Sequence, residues 1–284
     1  MKTVHLTDDL FVKFAELFYN LAGIYLKDYK KYLVEYRLTK LVGDDRPFKD
    51  YESLYRALVK GEDPQLRLQF INLLTTNYTY FFREDYHFHF LREYILKNIN
   101  KTPYMRFWSA ACSSGEEAYS MAISCYEVLG NDLKNHDIKI LATDISLNVL
   151  NYAINGEYHY SKIRGNIEDN LLKKYFYFNK DKKSFTVKEH LKDLVKVRYL
   201  NLMDNYPFTK KFDIVFLRNV LIYFDNQEKE IILSKIYDYI KPDGYVILGL
   251  SESLVGIRHK YQALHHSIYK KWRELLEAQC KGKA

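Results

Sequence analysis

Hydrophobic side chains recur at helical spacing from the start of the chain. Residues three or four apart lie on one face of an α-helix, so each such series predicts a helix with one buried face. The first series consists of Leu10, Phe11, Phe14, Leu17, Phe18 and Leu21. Thr7 stands where an N-cap is needed, and Gly23 follows the last apolar residue, as is typical of a helix end.

Three more series of this kind follow. One stops at Gly43, and the next covers residues 48–58. The last begins at Asp63 and Pro64, where a capping side chain precedes a proline at the first helical position. Together the four series predict a small all-helical domain over residues 1–75.

From about Met105 the pattern changes to short apolar runs that alternate with amphipathic helices. This alternation is typical of βαβ units and of a mostly parallel sheet. The predicted strands are residues 106–110, 138–143, 195–200, 212–217 and 245–250. We therefore predict an α/β domain with a Rossmann-like sheet over residues 105–284, joined to the helical domain by a linker over residues 76–104.

The stretch between the second and third predicted strands is longer than one crossover helix requires. Within it, two short apolar runs at 175–178 and 184–187 flank the polar sequence NKDKK. Two such runs around a polar turn predict a β-hairpin. We expect an inserted β-hairpin subdomain at about residues 156–194.

The composition fits a folded protein of ordinary type. Hydrophobic residues make up 48% of the chain and charged residues 28%, which argues against disorder. No apolar run approaches the roughly 20 residues that span a bilayer, and the sequence MKTVHLTDDLF lacks the apolar core of a signal peptide. We expect a cytoplasmic protein without membrane insertion. Its cysteines, Cys112, Cys125 and Cys280, are odd in number and lack CxxC spacing, so no disulfide framework or structural zinc site is predicted.

The formal net charge of +7 allows two interpretations. It could reflect an acidic partner, such as nucleic acid or a carboxylate-rich protein surface. It could also reflect a lysine-rich surface without a specific partner. The lysines are spread along the whole chain and form no long basic block, which favours the second interpretation.

The segment RFWSAACSSGEEAYSMAI joins a strand, a turn of small residues ending at Gly115, and a helix. Small residues at such a turn let the backbone approach a ligand closely. The segment lacks the GxGxxG and GxxxxGK[ST] patterns of phosphate-binding turns. Glu116 and Glu117 would repel phosphates at this helix start but suit a cation or ligand hydroxyls; alternatively, they only compensate the helix dipole.

Polar residues also stand at the ends of the other predicted strands, which meet at one edge of a parallel sheet. Asp144 ends the second strand and could bind ribose hydroxyls or cap the next helix near Ser146. Asn201 follows the third strand. Arg218 and Asn219 follow the fourth, with Tyr223 shortly after. A nucleoside ligand without phosphates fits this set, which points to S-adenosylmethionine.

The sequence closely resembles the CheR family of chemotaxis-receptor methyltransferases. The resemblance is carried by TTNYTYFFRE (75–84), SAACSSGEEAYS (109–120), ATDIS (142–146), FLRNVLIYFD (216–225) and IKPDGYVILGLSES (240–253). It implies a class I methyltransferase fold and an enzyme that methylates receptor glutamates with S-adenosylmethionine, releasing S-adenosylhomocysteine. Two positions depart from the family pattern, Leu250 where histidine is usual and Ala118 where proline is usual.

The resemblance also implies roles for individual residues. The implied cofactor contacts are Asn77, Thr79, Arg83, Ala111, Glu117, Asp144, Asn201, Leu202, Arg218 and Asn219. Arg83 and Tyr223 are the implied catalytic residues, Arg83 to orient the acceptor carboxylate and Tyr223 to position it through its hydroxyl. A glutamate acceptor is already ionised at neutral pH, so this reaction needs no general base.

The predicted partners are the cytoplasmic helices of methyl-accepting chemotaxis receptors. Lys30, Arg37 and Lys40 would present a basic helix face to their glutamates, although a solvated face without a partner explains each residue equally well. In some relatives the β-subdomain binds a receptor's C-terminal peptide by strand addition. We expect a monomer.

Three further residues attract attention but predict no site. His87 and His89 lack other metal-ligating residues at suitable spacing and are interpreted as ordinary helix residues. Cys112 lies in the cofactor turn without an identifiable histidine partner, so a small loop residue is favoured over a nucleophile. No metal is predicted.

Two other functions remain to be tested against the enzyme hypothesis. A catalytically silent S-adenosylmethionine-binding signalling module would keep the fold but not the turnover, which the intact Arg83, Asn219 and Tyr223 disfavour. A nucleic-acid methyltransferase would fit the positive charge. The absence of the [DN]PP[YF] motif of amine methyltransferases argues against that activity and against nucleic acid as a partner.

Overall fold

The computed structural model describes residues 4–272, so Cys280 lies outside the described residues. Within this range the first four helices are α1 (Asp8–Ala22), α2 (Lys31–Leu38), α3 (Tyr51–Lys60) and α4 (Pro64–Leu74). A 3-10 turn, Asp28–Lys30, precedes α2. The apolar faces of these helices meet in one cluster that includes Phe14, Phe18 and Phe70. The predicted all-helical region is confirmed.

The helix ends follow from local chemistry. The Thr7 side chain accepts the Leu10 N–H and caps α1, and Gly23 adopts the left-handed conformation after its end. Asp63 accepts backbone N–H groups at the start of α4, with Pro64 at the first position. The capping predictions for α1 and α4 are therefore confirmed.

The remaining helices and strands build the α/β region. The helices are α5 (Tyr86–Asn98), α6 (Glu116–Leu129), α7 (Leu147–Asn155), α8 (Tyr160–Ile163), α9 (Asp169–Tyr175), α10 (Glu189–Lys192) and α11 (Asn226–Tyr239). The strands are β1 (Met105–Ser109), β2 (Ile138–Asp144), β3 (Glu157–His159), β4 (Phe176–Asn179), β5 (Ser184–Val187), β6 (Val195–Tyr199), β7 (Phe212–Leu217), β8 (Ile240–Leu248), β9 (Tyr261–Ala263) and β10 (Ile268–Lys271).

Seven strands form one sheet in the order β6-β2-β1-β7-β8-β10-β9. The five predicted strands run parallel, and β10 pairs antiparallel with β8 and β9. One apolar cluster packs α5 and α6 against the sheet, and another contains residues of α11 and the strands. This is the Rossmann-like arrangement that the sequence predicts. β2 and β6 lie on one side of β1, and β7 and β8 lie on the other, so the order of the strands changes direction between β1 and β7.

The structure differs from the predictions at the edge of the sheet. β8 begins at Ile240 rather than at residue 245, and residues 241–244 bulge out of its register with β7. The pairing of β9 and β10 was not predicted. Both strands are very short, and His266 and Ser267 take the left-handed conformation in the turn between them, where sequence patterns look for glycine.

The predicted hairpin is confirmed as β4 and β5, which pair antiparallel. The subdomain also contains β3, which pairs with the other side of β5, so the small sheet has the order β3-β5-β4. A strand of three residues carries too little alternation to be detected in a sequence.

The helical region covers the carboxyl ends of the parallel strands. Asn201, after β6, donates a hydrogen bond from Nδ2 to the Leu21 carbonyl oxygen at 3.1 Å. The Tyr25 N–H donates to the Tyr223 carbonyl oxygen at 3.2 Å. Gly23 lies so close to the segment after β6 that a Cβ there would be 2.4 Å from Met203 Cγ.

Within residues 4–272 no helix is long and apolar enough to cross a membrane.

Candidate functional site

A cleft separates the helical region from the carboxyl ends of β1, β2, β6 and β7. Its empty volume is about 1070 Å³, part of which is open to solvent. The predicted residues that line it are Lys30, Asn77, Thr79, Arg83, Ala111, Glu117, Asp144, Asn201, Leu202, Arg218, Asn219 and Tyr223. Arg37 and Lys40 are not among the lining residues.

The two glutamates after Gly115 have different surroundings. Glu117 lines the cleft and accepts a hydrogen bond from Ser109 Oγ at 2.6 Å. Glu116 is buried outside the cleft lining and accepts from Ser114 Oγ at 2.7 Å. Gly115 itself is left-handed, and a Cβ there would be 2.8 Å from Ala153 Cβ. Only Glu117 can therefore serve as a ligand carboxylate, while Glu116 belongs to the helix start.

Asp144 lines the cleft and also binds the backbone at the start of the next helix. Its Oδ2 accepts the Ser113 N–H at 2.9 Å, and its Oδ1 accepts the Ser146 N–H at 2.9 Å. Each carboxylate oxygen can accept more than one hydrogen bond, so capacity remains for a ligand hydroxyl on the cleft side. Burial raises the pKa of this carboxyl, and the backbone N–H groups oppose the rise.

Arg218 is buried between two carboxylates at the floor of the cleft. Its Nη1 donates to Glu117 Oε2 at 3.0 Å, and its Nη2 donates to Glu84 Oε2 at 3.0 Å and also to the Arg83 carbonyl oxygen. Arg218 thus fixes Glu117 and the 75–84 segment in addition to lining the cleft. Glu84 was not predicted, although it ends the string TTNYTYFFRE; its contact spans 134 residues, which no local pattern reveals.

The charges of this cluster are interdependent. Burial raises the pKa of Glu117, although the Arg218 guanidinium and Ser109 oppose the rise. Burial would also raise the pKa of Glu84, but there the Arg218 charge and the hydrogen bonds outweigh it, and the pKa is lowered. Removing the Arg218 guanidinium would leave both Glu84 and Glu117 poorly solvated and without a counter-charge.

Two predicted asparagines hold the walls of the cleft in place. Asn201 Oδ1 accepts the Met203 N–H at 3.0 Å while its Nδ2 binds Leu21, so its amide is occupied by the protein. The backbone carbonyl oxygen of Asn77 accepts a hydrogen bond from Ser113 Oγ. This bond connects the 75–84 segment to the turn between β1 and α6. The apolar side chains that line this part of the cleft include Ile145, Leu200 and Leu202.

Arg83, Tyr223 and Lys30 line the cleft from three segments: the 75–84 segment, the turn after β7 and the turn before α2. The Arg83 guanidinium lies 5.9 and 5.8 Å from the ring centres of Tyr78 and Tyr80, and the Lys30 Nζ lies 5.7 Å from that of Tyr223. Burial raises the pKa of Tyr223, although Arg83 and Arg37 oppose the rise. The Tyr223 hydroxyl therefore keeps its proton at neutral pH and can donate a hydrogen bond.

The predicted basic helix face is not formed as expected. Lys30 belongs to the 3-10 turn before α2, and Lys40 follows the end of α2 at Leu38. Arg37 turns inward and donates to the carbonyl oxygens of Leu74 and Thr75 at 2.7 and 3.0 Å. Since α2 covers only Lys31–Leu38 and Arg37 turns inward, these three cations do not share one continuous helix face.

The surroundings of His87, His89 and Cys112 favour structural roles for these residues. His87 is fully buried, its Nε2 lies 2.9 Å from the His266 carbonyl oxygen, and burial lowers its pKa to about 4. His89 pairs with Asp85 on the surface. Within residues 4–272 no group of three metal-ligating side chains is found. Burial raises the pKa of the Cys112 thiol well above its usual value, which disfavours a thiolate nucleophile.

The buried state of His87 predicts a dependence of stability on pH. Its pKa is about 4 in the folded protein against 6.5 for the free side chain, so the unfolded chain takes up a proton first as the pH falls. The contribution of neutral His87 is present above pH 6.5 and is lost toward pH 4. Between pH 6.5 and 4 the free energy of unfolding of wild type should fall by roughly 3 kcal/mol more than that of His87→Gln, because one pKa unit corresponds to about 1.4 kcal/mol.

The measurement is urea denaturation of both proteins at several pH values. His89→Gln, which changes an exposed histidine of the same helix, serves as the control and should keep the wild-type slope. If His87→Gln lost stability in parallel with wild type between pH 6.5 and 4, the assignment would be wrong.

Comparison with known proteins agrees with the geometry of the cleft. Residues 77–270 match the family model "CheR methyltransferase, SAM binding domain", and residues 9–75 match "CheR methyltransferase, all-alpha domain". The chemotaxis protein methyltransferase of Borreliella burgdorferi is 40% identical over 260 residues, which cover 89% of this chain and 91% of that protein. Chemotaxis protein methyltransferase 1 of Pseudomonas aeruginosa is 37% identical over 250 residues, which cover 86% and 90%. The chain belongs to the CheR methyltransferase family and carries its S-adenosylmethionine-binding domain.

Proposed function

We propose that this protein transfers a methyl group from S-adenosylmethionine to the side-chain carboxylates of glutamates in the cytoplasmic helices of chemotaxis receptors. The observation that carries the proposal is the composition of the cleft. Its lining combines carboxylates suited to a nucleoside with a second set, Arg83, Lys30 and the Tyr223 hydroxyl. The second set suits an anionic acceptor.

The residues present fit the cofactor. S-adenosylmethionine supplies an electrophilic methyl group on a sulfonium centre. Asp144 can accept hydrogen bonds from the ribose hydroxyls, and Ile145, Leu200 and Leu202 provide an apolar surface for the adenine. The Glu117 carboxylate suits an ammonium group or a hydroxyl and disfavours phosphate.

The acceptor side of the cleft suits a nucleophile that arrives already ionised. Among the described residues that line the cleft there is no histidine, and the Tyr223 hydroxyl keeps its proton. A lysine acceptor would first have to lose a proton at a cost of roughly 4 to 5 kcal/mol at neutral pH, whereas a glutamate needs no base. This difference favours a carboxylate acceptor over an amine.

The protein's task is then to place the carboxylate in line with the methyl group and to exclude water. Arg83 can orient the carboxylate through its guanidinium. The residues before and after it in the chain, Phe82 and Glu84, both adopt left-handed backbone conformations. Tyr223 can donate its hydroxyl hydrogen to the same carboxylate. Both side chains line the cleft, as the assignment requires.

Tyr223→Phe and Arg83→Ala are each expected to lower kcat at least about tenfold, because each removes a contact worth about 1.4 kcal/mol or more to the acceptor in the transition state. The measurement is steady-state methyl transfer to receptor fragments. Tyr80→Phe, which removes a hydroxyl outside the cleft lining, should keep the wild-type kcat. Full kcat in both Tyr223→Phe and Arg83→Ala would refute these roles.

The proposal itself is tested with methyl-labelled cofactor and purified receptor cytoplasmic fragments, followed by treatment with alkali. A methyl ester releases its label as volatile methanol, which is the expected result. Label that resists alkali would identify an amine acceptor instead. Cofactor binding without transfer would support the alternative of a catalytically silent signalling module.

Two further parts of the proposal concern the partner and the place of action. Tyr177 and Phe178 are exposed on β4, which is an edge strand of the small sheet. We propose that a receptor's C-terminal peptide adds to this sheet as a strand. The enzyme would act as a monomer in the cytoplasm, where it meets the signalling helices of the receptors.

A further inference from the structure

Glu252 lies after β8 with only 6% of its surface exposed. Its Oε2 accepts the N–H groups of Asn219 and Gly249, both at 2.7 Å, and its Oε1 accepts the Ile222 N–H at 3.3 Å. The partners of this carboxylate are thus backbone amides from the segments that follow β7 and β8. Burial raises the pKa of Glu252, and these N–H groups oppose the rise.

Asn219 has a left-handed backbone conformation. Its φ is 57°, in a region that asparagine adopts more readily than most residues other than glycine. Gly249 packs directly on it, since a Cβ at Gly249 would lie 2.4 Å from Asn219 Nδ2 and 2.9 Å from its Cγ. Its neighbours hold this conformation in place, Glu252 through the hydrogen bond from the Asn219 N–H and Gly249 through close packing.

The same carboxylate also sets the position of Tyr223. Glu252 binds the N–H of Ile222, which precedes Tyr223 in the 3-10 turn Leu221–Tyr223. Asn219 and Tyr223 both line the cleft. One buried carboxylate therefore connects the residue beside the cofactor to the residue assigned to the acceptor.

We propose that Glu252 is a positioning residue for methyl transfer: it fixes Asn219 and the turn that carries Tyr223 in the arrangement needed for the in-line reaction. The proposal rests on the proposed function, because it assigns Tyr223 to the acceptor. Glu252 does not line the cleft and acts through the backbone of the residues that do. The hydrogen bonds of Glu117 and Asp144 do not involve Glu252, so its loss should affect the chemical step more than cofactor binding.

Glu252→Gln tests this with little change of shape. The glutamine amide nitrogen cannot accept a hydrogen bond, so at least one backbone N–H loses its partner. We expect kcat to fall about tenfold or more, as for a misplaced reacting group, while the Kd for S-adenosylmethionine changes less than about threefold. Gly249→Ala displaces Asn219 without changing Glu252 and should reduce kcat in the same way.

The matched control is Glu230→Gln. The Glu230 carboxylate also accepts a backbone N–H, that of Arg258 at 3.0 Å, but it lies outside the cleft lining, so this variant should keep the wild-type kcat. All rates are referred to the folded fraction, determined from thermal melts. If Glu252→Gln and Gly249→Ala both gave wild-type kcat per folded molecule, or if kcat fell only as far as the folded fraction, the positioning role would be overturned.

Amide hydrogen exchange gives a readout that does not depend on the acceptor. Exchange in residues 217–224 and at Gly249 should be faster in Glu252→Gln than in wild type, with segments that do not contact Glu252 unchanged. Unchanged exchange in residues 217–224 would also overturn the proposal. If wild type itself transferred no methyl group to receptor fragments, the proposed function would fail while this second readout still decided whether Glu252 fixes the turn.

Discussion

Arg218→Met is expected to reduce the free energy of unfolding by about 3–5 kcal/mol, because it leaves buried carboxylates without their counter-charge. The Arg218 side chain is 1% exposed, and those of Glu84 and Glu117 are 13% and 12% exposed. Neither carboxylate can reach bulk water easily once the guanidinium is gone. Chemical denaturation at neutral pH measures the loss.

The control and a compensating variant separate charge from packing. Arg258→Met removes a guanidinium that is 92% exposed and paired with Glu230, and it should leave stability close to wild type. Adding Glu84→Gln and Glu117→Gln to Arg218→Met should recover most of the lost stability, because no buried charge then remains unpaired. The triple variant should still bind S-adenosylmethionine poorly, since Glu117 no longer carries its charge into the cleft. A single Arg218→Met variant as stable as wild type would contradict this account.

Asp144→Ala is expected to weaken S-adenosylmethionine binding about 100-fold or more, which corresponds to roughly 2.7 kcal/mol. The substitution removes the proposed acceptor for the ribose hydroxyls. It also removes the acceptor for the N–H groups of Ser113 and Ser146, which belong to the turns that precede α6 and α7. Isothermal titration calorimetry measures the change in Kd.

Asp137→Ala is the matched control, because Asp137 stands just before β2 while Asp144 ends it. Asp137 pairs with Arg106 at the opposite end of the strand, far along the sheet from the cleft lining, so its loss should not change the Kd. A Kd for Asp144→Ala within about threefold of wild type, in a protein whose melt shows it to be folded, would argue against a ribose contact.

Much of the fold could be predicted because local chemistry determines it. Thr7 and Asp63 cap the helices that follow them, and the five parallel strands are apolar enough to be recognised individually. Parallel strands present their carboxyl ends at one edge, so residues such as Asp144 and Arg218, far apart in sequence, could be assigned to one cleft.

The parts that could not be predicted depend on contacts between distant segments. Arg37 has the spacing of a surface cation, and only the packing of α2 against the end of α4 directs it to the carbonyl oxygens of Leu74 and Thr75. Glu252 appears in the sequence only as part of GLSES. Its partners Asn219 and Ile222 are 33 and 30 residues away, and the backbone groups it binds leave no signature in side-chain patterns.

The cleft takes residues from both regions of the chain, with Ala22, Ile24 and Leu26 on one side and Asp144, Asn201 and Arg218 on the other. A ligand that touches both sides binds only while the helical region is docked on the sheet. By thermodynamic linkage, such a ligand stabilises the docked state by RT ln(1 + [L]/Kd), where [L] is the free ligand concentration. A methyl donor that contacted residues of both regions would therefore also hold the helical region on the sheet, and so would its demethylated product. The one with the larger ratio of free concentration to Kd would contribute more.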